Sequence, residues 1–246
     1  MSIFNEINID TPIISKETIK RLAKDIRENI QHPLNSNGIY YKHSDVDLLS
    51  GFAMIIGPEN TPYHNGFFFF QFKFPIDYPY TPPTVTFHSP GYNVRFHPNF
   101  YRTGKVCVSI LNTWHGDQWS SCYSLNNILT TLLSMFIHTH PLLLEPIFNP
   151  SDTKQQRDYN KVIHHATIQG SICDFLNRAP TYDLFYPLFS DVCIKYFLEH
   201  YDTIINNVLS CNTTVSVIHI PIYKMKYKVD YSHLYTQLSF LHNRLI

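Results

Sequence analysis

Apolar and polar positions along this chain change period several times, and each change marks an element. Between residues 16 and 31, Ile19, Leu22, Ala23, Ile26 and Ile30 recur at the three-and-four spacing of a helix with one apolar face. Ser15 stands where an N-cap is needed, and Pro33 stops the helix. Lys16, Lys20, Lys24 and Arg27 line another face. From residue 39 to residue 87 the pattern becomes that of strands separated by turns, with strands over 48–56, 66–74 and 84–88. Gly57-Pro58 and Pro75 end the first two of these. The turn Tyr78-Pro79-Tyr80-Thr81-Pro82-Pro83 is stiff, because proline fixes φ and offers no N–H to a ladder.

Helical period returns at Leu125, Ile128, Leu129, Leu132, Leu133 and Phe136, which predicts an amphipathic helix crossing the sheet as the central core helix. A loop follows over 138–151, then a helix over 152–177. Residues 179–246 read as an extension: a helix over 187–209, a strand-like stretch over 215–223 and a helix over 231–244. The extension is aromatic enough to pack on what precedes it rather than trail as a tail. No internal repeat or low-complexity linker interrupts the chain.

Composition narrows the class. The 246 residues are 44% hydrophobic and 15% charged, enough to build a sizeable core and too apolar for wholesale disorder. Lys+Arg and Asp+Glu balance at 19 each, so no net basic excess points to nucleic acid. No apolar run is long enough to span a bilayer, so no membrane partner is expected. The five cysteines, at 107, 122, 173, 193 and 211, are odd in number and form no Cys-x-x-Cys pair. Residues 1–10 carry no charged-then-apolar leader. Free thiols in a reducing compartment are expected. The 14 histidines are scattered, and His164-His165 are adjacent rather than four apart, so no metal site is expected.

The chemistry concentrates in one stretch. His97-Pro98-Asn99 is followed, eight residues on, by Cys107, with Gly104 in the turn between them and Trp119 beyond. A lone cysteine is by default a small buried hydrophobe. Its place just past a turn, downstream of His97-Pro98-Asn99, makes Cys107 the candidate nucleophile instead. A thiolate attacks carbonyls well and leaves well, which suits a carrier that accepts an acyl group and hands it on. Thiol–thioester exchange needs only a modest thiolate fraction, so no general base is demanded. A His97–Cys107 protease dyad is the poorer fit, because no third orienting residue is evident.

This ordered set resembles the active site of the ubiquitin-conjugating enzymes, which hold ubiquitin as a thioester on one cysteine. The glycine and proline series through Gly57-Pro58, Tyr63, Gly66, Phe74-Pro75, Tyr78-Pro79 and Pro82-Pro83 resembles their strand meander. The resemblance implies an α+β ubiquitin-conjugating (UBC) fold: N-terminal helix, four-stranded antiparallel meander, central helix and C-terminal helices. Residues 1–178 would be the catalytic core and 179–246 a mainly helical extension packed on it. It implies an acyltransferase that takes ubiquitin, or a ubiquitin-like modifier, from an activating enzyme onto Cys107. A lysine amine then receives it, usually with a ligase present. No cofactor is implied, and the compartment would be the cytoplasm or nucleus of a eukaryotic cell.

Residue roles follow from the resemblance. Asn99 has two readings: its amide stabilises the oxyanion formed during lysine attack, or it holds the loop through backbone bonds. His97, Pro98 and Trp119 would support the active-site loop. Lys16, Lys20 and Lys24 would dock the activating enzyme or ligases, and Tyr80, Ser120 and Ser121 would contact ligases. Two departures stand out. The Ser120-Ser121-Cys122 stretch replaces the usual Ser-Pro-Ala, and Leu142-Leu143 occupy the place of a frequent acidic residue. Glu145, His138 or His140 are nearby substitutes for the latter. Tyr40 matches a small residue on the back of the sheet where some members bind a second ubiquitin. The insertion at 113–118 and the stretch 159–174 resemble the large members charged by the second ubiquitin-activating enzyme, and equally the giant inhibitor-of-apoptosis conjugating enzymes. The helical extension favours the former. Two rivals remain: a non-catalytic module that binds ubiquitin or an activating enzyme, and a conjugating enzyme for another modifier.

Overall fold

The structure is a computed structural model that describes residues 13–246; the leader expectation for residues 1–10 lies outside them. The first helix, α1 (Lys16–Gln31), begins where Ser15 accepts the Thr18 N–H at 3.0 Å. Its inward face differs from the expected one. Leu22 is buried and Ile26 partly so, but the other inward residues are Thr18, Asp25 and Asn29, while Ile19, Ala23 and Ile30 face solvent. The reason is polar pairing: the Tyr78 hydroxyl donates to Asp25, Thr18 donates to the Ile76 carbonyl, and Asn29 donates to Asn126. Helical spacing alone does not distinguish an apolar stripe from a satisfied polar one.

Four strands form an antiparallel meander in the order β1 (Ile39–His43), β2 (Ser50–Ile56), β3 (Phe67–Lys73) and β4 (Thr84–His88). Every residue of β2 is buried, so the sheet is covered on both faces. On the first face Phe68, Phe70 and Phe72 alternate with register. Phe68 and Phe70 meet Phe136 of α2 (Leu125–Phe136), and Phe70 also meets Phe100. On the back face, Phe67 and Phe69 lie opposite Ile56 and Met54 of β2, with Phe52 on the same face. Phe69 stacks between Phe175 and Phe185 at ring separations of 4.8 and 4.9 Å. Cys193 approaches Met54 at 3.1 Å, and Tyr196 donates to Asn65.

Those back-face partners come mostly from beyond residue 178. Helix α3 (Thr153–Ala166) does not continue evenly to residue 177, as expected, but widens into a π-helical stretch, Thr167–Asp174. There Gly170 passes so close to Pro90 that a Cβ would meet it at 2.6 Å, and its carbonyl accepts from the Tyr182 hydroxyl at 2.7 Å. A π stretch releases carbonyls to such outside donors. Helix α4 (Tyr186–Leu209) then covers the back of the sheet. The next stretch is a hairpin rather than one strand: β5 (Ser216–Ile220) pairs with β6 (Met225–Val229), joined through Pro221–Tyr223 and Lys224. Helix α5 (Tyr231–Leu245) closes the chain and packs on α4.

Candidate functional site

The turn into the site is set by two short bridges. The Phe100 N–H donates to the His97 carbonyl at 3.0 Å, and Gly104 closes a second turn by donating to the Tyr101 carbonyl at 2.9 Å. Gly104 has φ +90°, a left-handed value, and a Cβ there would meet Thr86 at 2.7 Å, so a glycine is required. The chain then runs back beside Asn99. The Cys107 N–H donates to the Asn99 carbonyl at 2.9 Å, and the Asn99 side-chain amide donates to the Cys107 carbonyl at 2.6 Å. Thr113 fixes the far side, its hydroxyl accepting from the Val108 N–H and reaching the Val106 carbonyl.

Asn99 thus clasps the backbone of Cys107 from both directions, which is the loop-holding geometry of its two readings. His97 is fully buried, and its Nδ1 accepts the Asn99 N–H at 3.0 Å. Burial, then the nearby His138 and Arg95 charges, push its pKa down to about 3 against a smaller opposite pull from the Met135 carbonyl. It is a neutral structural imidazole at physiological pH. Cys107 is only 2% exposed, so a carboxyl group reaches its sulfur only after a local opening. Burial pushes the thiols of Cys173 and Cys193 up, away from thiolate, and Cys122 is exposed.

Trp119 lies at the other end of the insertion. Its indole N–H donates to the Pro79 carbonyl at 2.7 Å, and its backbone N–H donates to the Asn112 side chain. It therefore pins the loop following Cys107 to the proline-rich turn. That turn, the start of α1 and the Ser120-Ser121 loop all meet at one end of the molecule. Arg21 joins them, pairing with Asp25 and donating to the carbonyls of Ser121 and Tyr123. Tyr80 is exposed and donates to Glu17, while Lys16, Lys20, Lys24, Ser120 and Ser121 face solvent. The candidate contact residues thus form one surface, apart from the pair Asn99 and Cys107.

Arg95 went unrecognised in the sequence as a site residue, whereas Glu145 is one of the three substitutes named for the missing acid. Arg95 donates to the His97 and Pro98 carbonyls, and Glu145 accepts from Tyr223 of the hairpin at 2.9 Å. Of the other two substitutes for an acid at Leu142-Leu143, His140 contacts Asn160 and His138 lies near His97. Leu142 is buried and Leu143 exposed. Tyr40 is half-buried beside α4; burial raises its pKa, with Cys193 and Glu199 of that helix adding to the shift. Among the described residues no three His, Cys, Asp or Glu side chains gather as a metal site, and no helix is long and apolar enough to cross a membrane.

An N-terminal helix, a four-stranded meander, a central helix and a clasped cysteine after a His-Pro-Asn turn define an α+β UBC domain. A family model described as ubiquitin-conjugating enzyme matches residues 21–175, and the chain belongs to that family. It is 40% identical to the ubiquitin-conjugating enzyme E2 Z of Homo sapiens over 192 residues, 76% of this chain and 51% of that protein. The E2 Z of Danio rerio is 38% identical over 198 residues, 78% of this chain and 58% of the relative. The dual E2 ubiquitin-conjugating enzyme/E3 ubiquitin-protein ligase BIRC6 of Homo sapiens is 35% identical over 190 residues, 72% of this chain and 4% of its own length. The chain spans a little over half the length of the E2 Z proteins it matches.

Proposed function

We infer that this protein is a ubiquitin-conjugating enzyme that carries ubiquitin, or a ubiquitin-like modifier, as a thioester on Cys107. The Cys107 thiolate attacks the activated C-terminal carboxyl held on an activating enzyme, and that enzyme's thiol leaves. A lysine amine then attacks the new thioester, and Cys107 departs as thiolate. The single observation that supports this most is the two-way clasp between Asn99 and Cys107 within the UBC fold. Asn99 is proposed to hold the loop at rest, with His97, Pro98 and Trp119 supporting it. Residues 1–178 are proposed as the catalytic unit and 179–246 as an extension on it. The surface of Lys16, Lys20, Lys24, Tyr80, Ser120 and Ser121 is proposed to meet the activating enzyme and ligases. Free thiols fit a cytoplasmic or nuclear setting.

The test is a charging assay with ATP, ubiquitin and each of the two ubiquitin-activating enzymes, run with and without reductant. The expected product is an adduct that reductant removes and that becomes reductant-resistant in Cys107→Ser. A Cys107→Ala protein that still forms the reductant-sensitive adduct overturns the assignment. The enclosure of Cys107 favours one second reading, a binding module for ubiquitin or an activating enzyme. That reading predicts complex formation without any adduct.

A further inference from the structure

Arg95 lies on the segment leading into His97-Pro98-Asn99. Its Nε donates to the His97 carbonyl at 3.1 Å, and a terminal nitrogen donates to the Pro98 carbonyl. These are the two peptide carbonyls just before Asn99, which clasps Cys107. Two bonds from one planar guanidinium fix that stretch of backbone in a way a lysine ammonium does not.

Groups from distant parts of the chain hold Arg95 in turn. The Tyr101 ring lies 3.5 Å from its guanidinium carbon, and the Tyr223 ring 5.2 Å. The Tyr159 hydroxyl donates to the Arg95 carbonyl at 2.7 Å, and the Arg95 N–H donates to the Met225 sulfur at 3.2 Å. Tyr223 and Met225 belong to the tip of the β5–β6 hairpin. The tip is itself pinned to the core: Tyr223 donates to Glu145, and Arg102 donates to the Tyr223 carbonyl at 2.5 Å. An unbroken chain of contacts therefore runs from the extension to the backbone of Cys107, through Tyr223, Arg95, the His97 and Pro98 carbonyls, and Asn99.

We propose that Arg95 is a positioning residue for thioester chemistry and that Tyr223 locks it, so the hairpin of the extension is a working part of the site. The proposal rests on the reading of Cys107 as the carrier. It assigns the β5–β6 hairpin a task separate from that of α4, which covers the sheet.

The experiment charges the full chain with ubiquitin and then chases the thioester onto free lysine over a range of lysine concentrations. It compares wild type with Arg95→Ala, Arg95→Lys, Tyr223→Ala and Tyr223→Phe. Both alanine variants should lower the maximal discharge rate per charged molecule by about tenfold or more, leaving the half-saturating lysine concentration unchanged. Arg95→Lys should stay close to Arg95→Ala, because an ammonium does not reproduce the fork. Tyr223→Phe keeps the ring against the guanidinium and should discharge within about twofold of wild type. A merely structural role would lower the melting temperature and leave discharge per charged molecule untouched. If the alanine variants do not fold, Arg95→Lys and Tyr223→Leu carry the same comparison. Wild-type discharge rates in Arg95→Ala and Tyr223→Ala overturn the proposal alone. A wild-type protein that takes up neither ubiquitin nor a ubiquitin-like modifier overturns the carrier reading and this proposal with it.

Discussion

The two faces of the meander are buried to the same depth by different parts of the chain. On the site face, Phe68 and Phe70 pack on Phe136 of α2, and Phe100 of the His-Pro-Asn turn joins them. On the back face, Phe67 and Phe69 pack on Phe175, Tyr182, Phe185 and Phe189, most of them in the extension. A run of four phenylalanines in β3 is intelligible only when both faces are dry. One sheet therefore serves two masters: one face carries the candidate site, and the other anchors the extension.

The harshest way to break this equivalence is to remove one cover. A chain ending at Arg178 keeps Phe175 but loses Tyr182, Phe185, Phe189 and the rest of α4, which leaves Phe52, Met54 and the Phe185 side of Phe69 as one apolar patch open to water. Such a patch is an aggregation surface, and the truncated chain should be largely insoluble on expression. A soluble monomer with an unchanged melting temperature would show that α4 is a dispensable cover. A milder pair of changes compares the faces directly. Phe69→Ala and Phe136→Ala each remove a fully buried ring with at least three aromatic neighbours. Each should cost about 3–5 kcal/mol in urea unfolding. A Phe69→Ala cost below about 1 kcal/mol would mean the back-face packing is loose.

Much of this architecture was legible in the sequence because its signals were local. Ser15, the prolines after β2 and β3, and the Leu125–Phe136 period each mark a boundary by a rule that acts within a few residues. The site's nucleus was legible because His97-Pro98-Asn99 and Cys107 lie on one short stretch. The misses share a cause: they depend on partners distant in sequence. Thr18, Asp25 and Asn29 face inward because Ile76, Tyr78 and Asn126 receive them. Arg95 reads as an ordinary surface cation until the hairpin brings Tyr223 beside it. Strand β6 is a different kind of miss, since Met225-Lys226-Tyr227-Lys228-Val229 alternates with strict period two, and its burial follows that alternation.

Acid adds a second comparison, between two neutral histidines: one in the site turn, the other where α3 meets the hairpin. His97 holds the site turn, with its pKa pushed down to about 3, mainly by burial. His165 accepts the Asp230 N–H and contacts the Tyr227 hydroxyl, joining α3 to the hairpin. Burial pushes it down to about 4, against a smaller raising effect of Asp230. Both values lie below the unfolded value of about 6.5, so the unfolded chain binds protons first as pH falls. The stability these groups contribute is present above about pH 6.5 and is lost as pH falls toward about 4 and then about 3. The loss is about 1.4 kcal/mol per pH unit for each histidine. Burial pushes His164, the neighbour of His165, down to about 4 as well, so urea unfolding at pH 7, 6 and 5 should show the summed slope of these groups, and His165→Gln should remove its share. A pH-independent midpoint would contradict the neutral, buried state of both rings.

The gentlest comparison is between two thiols. Cys107 lies on the site side at 2% exposure, and Cys193 lies on the sheet-facing side of α4 at 0%. If the faces differ in function, they should differ in how they open. Alkylation near neutral pH should modify exposed Cys122 first, and Cys107 about tenfold or more slowly. That lag corresponds to an opening cost of about 1.4 kcal/mol or more. Cys193 should react only at the rate of global unfolding, since its thiol is both enclosed and pushed up in pKa. Mass spectrometry of timed samples resolves all three. Cys107 reacting as slowly as Cys193 would mean the site face does not open by itself, which favours the binding-module reading. Cys193 reacting as fast as Cys107 would mean the extension lifts off the sheet, and the two covers would then be equivalent in dynamics as well as in depth.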